Sequence, residues 1–393
     1  MPTEEDMTIN ERRKYLKRMK PLYQAARRSE QSRLLNEMEQ VTGLHRKSLL
    51  RLLHARSLQR KKRTTPRSRT YGLEVEQVIL LVWESLDYVC AERLTPVLLV
   101  TAQHLARFGV VRLTAQVERQ LSTISEATVT RLLRKHRAQK QRLPRSGPQR
   151  ANQVRAGVPM GRIPWDTSEP GHFEVDLVHH GGESTAGEYV HTLQLIDVAT
   201  GWSERVAILG RGEQAMKGGF ERILARLPFP IVELHPDNGS EFFNQHLVRL
   251  WKDKVSGVRL SRSRPYHKND NRLVEQKNDT LVRRYLGELR LDTVEQMEAV
   301  NALYEQMWVY YNLFQPVLHL CEKEVVDGHL RRKWDEAKTP YERLRASGVL
   351  TAQQQETLAH LYTQTNPLHL RQAIYRQLNA LWEGAIAQAT GAA

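Results

Sequence analysis

HFEVDLVHHGGESTAGEYVHTLQLIDVATGWSERVAIL (172–209) lays out three strands in succession. In HFEVDLVHH (172–180), Phe173, Val175 and Leu177 alternate on one side, which leaves Asp176 on the other. A second strand lies in 189–202, and Ala199-Thr200-Gly201 supplies a tight turn into a third, SERVAIL (203–209), antiparallel to it. Downstream the pattern changes to alternating units. EQAMKGGFERILARL (213–227) reads as a helix despite Gly218 and Gly219, and PIVELHPDNG (230–239) as a strand running into a turn. NQHLVRLWKDK (244–254) is a helix, VRLSRS (258–263) a short strand, and a long helix starts near Asp270-Asn271 and reaches about Leu286.

Upstream, the chain is all-helical. In LLNEMEQVTGLHRKSLLRLLHA (34–55), one helix ends near Thr42-Gly43 and a second begins around His45, a helix-turn-helix pattern that would present Arg46, Lys47 and Arg51 to DNA. The alternative is a plain pair of helices with a solvated basic face. The basic stretch 59–70, with Arg60, Lys61, Lys62, Arg63 and Pro66, is expected to be a linker that tracks phosphates. LTPVLLVTAQHLARFG (94–109) reads as a helix opened by Thr95-Pro96. In 113–140, Ser125 caps a helix with Val129, Leu132 and Leu133 inward and Thr128, Arg131 and Lys135 outward, a second helix-turn-helix.

Charge follows the same division. The chain carries +15 overall with pI near 9.8. Residues 1–150 hold 31 basic and 14 acidic side chains, while 151–393 hold 28 and 30, so the whole excess belongs to the helical N-terminal part. A basic arm on a near-neutral body points to a polyanion such as DNA. The two cysteines, Cys90 and Cys321, exclude a disulfide framework and a cysteine zinc site, and suit a reducing cytoplasm. Residues 1–33 are charged throughout and offer no signal-peptide core, and runs such as VILLVW (78–83) are too short to span a membrane. A cytoplasmic protein, associated with the nucleoid when on DNA, is expected.

Three acidic residues stand out. Asp176 sits mid-strand, Asp237 lies in HPDNGSEF (235–242), and Glu275 in DNRLVEQKN (270–278), with 60 and 37 residues between them. The order β-β-β-α-β-α-β-α describes an RNase H-like sheet, which would gather the three. Crowded carboxylates repel unless cations neutralise them, and Mg²⁺ prefers such hard oxygen ligands. Two ions could clamp both oxygens of a phosphodiester displacement. Asp197 is a further carboxylate, read as strand-end structure, and the aromatic stripe Tyr304, Trp308, Tyr311 as core.

FEVDLV (173–178), LIDVATGW (195–202), HPDNGSEF and SRPYHKNDNRLVEQKN (263–278) resemble the catalytic domain of DDE transposases of bacterial insertion sequences, in the retroviral-integrase superfamily. The resemblance covers 165–315. It implies that Asp176, Asp237 and Glu275 are the catalytic, metal-binding triad, holding two Mg²⁺ ions with Mn²⁺ able to substitute. It implies cleavage that frees a 3′-OH at each terminal inverted repeat, then joining to target DNA, by a dimer or larger assembly. Many relatives carry a basic residue seven positions beyond the glutamate; here that position is Val282, with Arg283 and Arg284 beside it. Lys277, Arg283, His267 and Lys268 are candidate contacts to DNA.

The expected organisation is multidomain: N-terminal all-α helix-turn-helix domains (1–65 and 66–145), a linker (146–164), a central α/β RNase H-like catalytic domain (165–315) and a C-terminal helical tail (316–393). A regulator that keeps the fold without the chemistry, and a nuclease without joining activity, are the rival readings.

Overall fold

The computed structural model describes residues 7–58, 70–136, 160–161, 163–164, 167–182, 186–236, 242, 257–263, 270–326 and 329–389. Asp237, His267, Lys268 and the basic residues 60–63 lie outside them, as does the helix expected at 244–254. The chain divides into two compact units, Met1–Thr70 and Tyr71–Ala393.

In the first unit, α1 (Ile9–Ala25) opens with a capping box between Thr8 and Glu11. Then come α2 (Arg28–Thr42) and α3 (Arg46–His54). Gly43 takes φ +64 between them, a conformation that disfavours residues with a Cβ, and its N–H closes α2 on the Glu39 carbonyl. Leu16, Tyr23, Leu35, Met38, Leu49 and Leu53 form a core of this unit's own.

The second unit begins with α4 (Leu73–Ser85), α5 (Ala91–Arg107), α6 (Ala115–Thr123) and α7 (Glu126–Arg134). The Ser125 cap stands: its hydroxyl accepts from the Thr128 N–H. The Thr95-Pro96 opening does not. Helix α5 starts at Ala91, and Pro96 lies inside it. Thr95 directs its hydroxyl to the Ala91 carbonyl at 2.8 Å instead of capping.

A five-stranded mixed sheet follows, in the order β4-β3-β2-β5-β6. Its strands are β2 (His172–His179), β3 (Val190–Asp197), β4 (Ser203–Leu209), β5 (Glu233–Pro236) and β6 (Arg259–Leu260). The first three are antiparallel neighbours; β5 runs parallel to β2 and β6 parallel to β5. The short β1 (Met160–Gly161) pairs with β7 (Arg262–Ser263). Helix α8 (Glu213–Arg226) connects β4 to β5. Past the sheet, α9 (Arg272–Lys277) runs through a π-helical stretch, Asn278–Arg283, into α10 (Arg284–Leu286). The long α11 (Val294–Phe314) comes next.

Strand alternation gives the sheet two buried faces. Phe173, Val175 and Leu177 join Leu193, Val206 and the α8 residues Phe220 and Ile223, in a cluster continuous with the core of α4–α7. The other face packs Val178 and Ala207 against Val282, Val300 and Tyr304. The stripe Tyr304, Trp308, Tyr311 is buried, as core. Edge strand β4 is sealed by side chains. Asn312 accepts from the Ser203 N–H and donates to its carbonyl; Asn301 does the same for Ala207, all at 2.9–3.0 Å. Arg226 reaches the Arg205 carbonyl between them. An edge strand's outward groups are thereby paired within the chain. Below them, the wholly buried Glu204 accepts from both indoles, Trp202 and Trp308, and from Arg226.

The tail departs from the helical reading. β8 (Leu320–Val326) and β9 (His329–Trp334) form an antiparallel hairpin ahead of α12 (Pro340–Ser347), α13 (Ala352–Gln364) and α14 (Pro367–Ala389). Helix α14 grips the loop after α4, where Asp87 and Tyr88 have φ of 56 and 60. The Asp87 carboxylate accepts from Arg371 Nε and Tyr375 Oη at 2.9 Å, and from Tyr285 Oη at 3.0 Å. No helix of the described residues is long and apolar enough to cross a membrane.

Replacing Asn312 with leucine strands the Ser203 N–H and carbonyl in the interior. A loss of about 1–3 kcal/mol per unpaired group is expected, measured by urea unfolding followed through tryptophan fluorescence.

Candidate active site

Glu174 and Asp176 project from the same side of β2, two residues apart. Gln194 of β3 is the cross-strand partner of Asp176, and Arg205 of β4 that of Gln194. Helix α9 lies over this row, held by three bonds to consecutive residues of β2. Glu174 Oε2 accepts from the Val274 N–H at 2.8 Å, Asn271 Nδ2 donates to the Val175 carbonyl at 3.3 Å, and Asn278 Nδ2 donates to Asp176 Oδ2. The side chain of Asn271, at the head of α9, makes no cap of its own. Glu174 fills that role from the sheet, where the amide end of a helix favours negative charge. Burial pushes the Glu174 carboxyl up to about 7, against the pull of the Val274 and Leu273 amides, and the charge of Glu275 adds to the rise.

Asp176 is half-buried, and its second oxygen accepts from the Leu177 N–H at 2.8 Å. Glu275, one turn before Asn278 on the same helix, is exposed. Pro236, the last residue of β5, pairs with Val175, the neighbour of Asp176; Asp237 follows Pro236 in sequence and is outside the described residues. Among the described residues no group of three or more His, Cys, Asp or Glu could hold a metal ion. Two buried acceptors, Gln194 Oε1 and Asn278 Oδ1, have no hydrogen-bond partner among the described residues.

The π-helical stretch also has a prop. The buried Arg205 guanidinium donates to the Leu281 carbonyl at 3.1 Å and to the Met307 carbonyl at 3.2 Å, and lies 5.4 Å from the Tyr304 ring centroid. Val282 points into the core, while Arg283 is half-buried. Lys277 is buried, its Nζ 5.2 Å from the Tyr311 ring centroid. Asp197 bridges the Gly171 N–H to the N–H and hydroxyl of Thr200, fixing the β3–β4 turn, and burial raises its pKa to about 6. His180 donates to or accepts from the Thr192 hydroxyl at 2.8 Å, and burial lowers its pKa to about 3, so the imidazole is neutral.

Of the other candidate contacts, Arg46 braces α3 against α2 through Ser32 and Asn36, whereas Lys47 and Arg51 are exposed. Arg131 and Lys135 are exposed at α7, and Thr128 is half-buried at its first turn.

The chain is 34% identical over 330 residues to the uncharacterized protein y4rM of Sinorhizobium fredii, covering 82% of this chain and 91% of that one. It belongs to the family of that protein. No family model matches. The catalytic core domain of BIV integrase aligns with 45% of this chain and 95% of its own, at 18% identity and a TM-score of 0.29, a likeness too slight to bear on fold or function.

Glu174, Gln194, Arg205 and Asn278 escape a reading of the sequence for acidic spacing. Asn278 carried a signal: a helical polar residue three beyond Glu275 shares its face. Glu174 stands two before Asp176 in a strand, hence on the same side.

Glu174 gives the fold a pH dependence. Its folded pKa, about 7, exceeds the ordinary 4.5, so between these values the native state holds a proton that the unfolded chain has lost. Its contribution is full below about pH 4.5 and is lost as pH rises through 7. Against Glu174→Gln, the wild-type unfolding free energy should fall over that window and level off above it, as read by chemical denaturation at stepped pH.

Proposed function

We propose that the chain is a DNA transposase of the DDE type, which cleaves the ends of its element and joins them to target DNA. One observation carries the reading: a single helix bears Glu275 and binds Asp176 through Asn278, while the strand beside Asp176 ends at the residue before Asp237. Three carboxylates brought to one sheet end would make a donor set of hard oxygens, and the amide oxygens of Gln194 and Asn278, unpartnered among the described residues, add acceptors near Asp176. This chemistry fits Mg²⁺. Asp176, Asp237 and Glu275 would hold two ions, which supply Lewis acidity and an activated oxygen nucleophile for in-line phosphoryl transfer.

The protein's own part is placement. Glu174 and Asn271 fix the start of α9, so that Glu275 keeps its distance from Asp176. Asn278 turns one Asp176 oxygen and leaves the carboxylate no freedom to rotate. A π turn takes in one residue more than an α turn, so the face seven residues beyond Glu275 in a regular helix passes from Val282 to Arg283. Arg283 is thus the cation suited to a DNA phosphate beside the carboxylates. The exposed Lys47 and Arg51 of α3, and Arg131 and Lys135 of α7, supply phosphate and base-edge contacts that select the terminal repeats. Two ends brought together call for at least a dimer on DNA.

The test is strand transfer with purified protein, the repeats flanking its gene, a supercoiled target and Mg²⁺ or Mn²⁺. Joined products are expected, and Asp237→Asn or Glu275→Gln should abolish cleavage and joining with end binding nearly intact. Cleaved ends without joining would mean a nuclease; binding without either, in both metals, would mean a regulator.

A further inference from the structure

A cavity of about 680 Å³ lies behind α9, between that helix, the start of α5 and the root of the β8–β9 hairpin. Two of its lining side chains are cations, Lys277 and Arg93. Lys277 stands two residues beyond Glu275, roughly 200° round the helix, so it faces away from the candidate active site. It is 9% exposed, and among the described residues its Nζ makes no hydrogen bond or ion pair; its neighbour is the Tyr311 ring, 5.2 Å away at the centroid. Arg93 is half-buried. Its Nε is out of water and has no hydrogen-bond partner among the described residues. A desolvated cation is costly without a partner, and a ring face offsets only part of that cost. Both charges are therefore placed to receive an anion.

The carboxylates around them do not cancel that demand. Asp335 is taken up by Arg343 at 2.6 Å and by the His319 N–H at 2.7 Å. Glu92, Glu126 and Glu336 also line the cavity but are exposed, with their charge in water. Three such carboxylates turn away a polymer of phosphates and favour a small ligand with hydrogen-bond donors at its outer end. The remaining wall is apolar or flat: Leu273, Val317 and Leu318, with the indole of Trp334, 48% exposed. A cavity of this volume with a few fixed polar groups has the form of a small-molecule site. We propose that it binds a small organic anion carrying a flat ring, its carboxylate or phosphate set between Lys277 and Arg93 and its ring against Trp334. The site is separate from the transposase reading and holds whatever reaction the chain performs. Because Lys277 belongs to the helix of Glu275, an occupant would fix α9 from behind.

Full-length protein is titrated by calorimetry with AMP, benzoate and inorganic phosphate, of which the first two join an anion to a ring. At least one of AMP and benzoate should bind with Kd below about 1 mM, and the tighter of them tells whether the site takes phosphate or carboxylate. Lys277→Met and Arg93→Met should each weaken it by about tenfold or more, the loss of a charged hydrogen bond. Arg331→Ser, exposed and outside the cavity, should leave it unchanged. Trp334→Ala should bring the ringed anion down toward the affinity of inorganic phosphate. Lys277→Met has a second readout: without ligand it should melt no lower than wild type, since it removes an unpaired buried charge. A lower melting midpoint would make Lys277 a structural residue and overturn the site. Failure of both ringed anions to bind would overturn it too, as would binding left intact in both cation variants. If neither anion binds while Lys277→Met loses affinity for duplex DNA, the lysine belongs to DNA instead.

Discussion

The arrangement of the candidate site depends on a carboxylate that does no chemistry in it. Glu174 caps the amide end of the helix bearing Glu275, from a position two residues before Asp176 on the same strand. A buried acid is costly unless its hydrogen bonds are made. This one accepts from the helix amides and still titrates near 7. The strand therefore both presents one catalytic candidate and sets where the other begins. Asn271 and Asn278 extend the stitching along one helical face, so that an error in the position of α9 would have to break bonds to three adjacent residues at once.

The helical side of the sheet is otherwise held by polar groups in pairs. Arg205 is buried without a carboxylate partner among the described residues and directs its donors to carbonyls of two helices, beside tyrosine rings. Glu204, its neighbour, projects to the opposite side and satisfies two indoles and Arg226. These groups contribute uniqueness of arrangement more than raw stability, since an apolar core would pack as well but could slide.

Much of this order was legible from the sequence, for reasons that differ by element. Strand β2 announces itself because Phe173, Val175 and Leu177 alternate, and the Ala199-Thr200-Gly201 turn fixes the next pairing. Ser125 was readable as a cap because a hydroxyl preceding an amphipathic run has one strong local use. Pro96 misled because proline favours the first turn of a helix, while here α5 had already begun at Ala91. The β8–β9 hairpin was missed because its strands have no apolar face to mark them; the sequence Asp327-Gly328 between them was the available turn signal. Acidic spacing nominated the candidate site, but the groups that support Asp176 and Glu275 were not legible. Tertiary caps such as Glu174 on Val274 join residues about a hundred positions apart, and no local pattern encodes such a distance.

The grip of Arg371 and Tyr375 on Asp87 has a consequence for how the molecule comes into being. Residues 367–389 emerge from the ribosome after everything they close upon: the loop following α4, the end of the Glu275 helix at Tyr285, and the core beneath α11. Asp87 and Tyr88 hold an unfavourable backbone conformation that those late-arriving groups, together with Tyr285, help to reward. A nascent chain therefore carries its N-terminal helices before it can brace the helix of Glu275. A chain interrupted before Pro367 would hold its N-terminal helices complete and the helix of Glu275 unbraced.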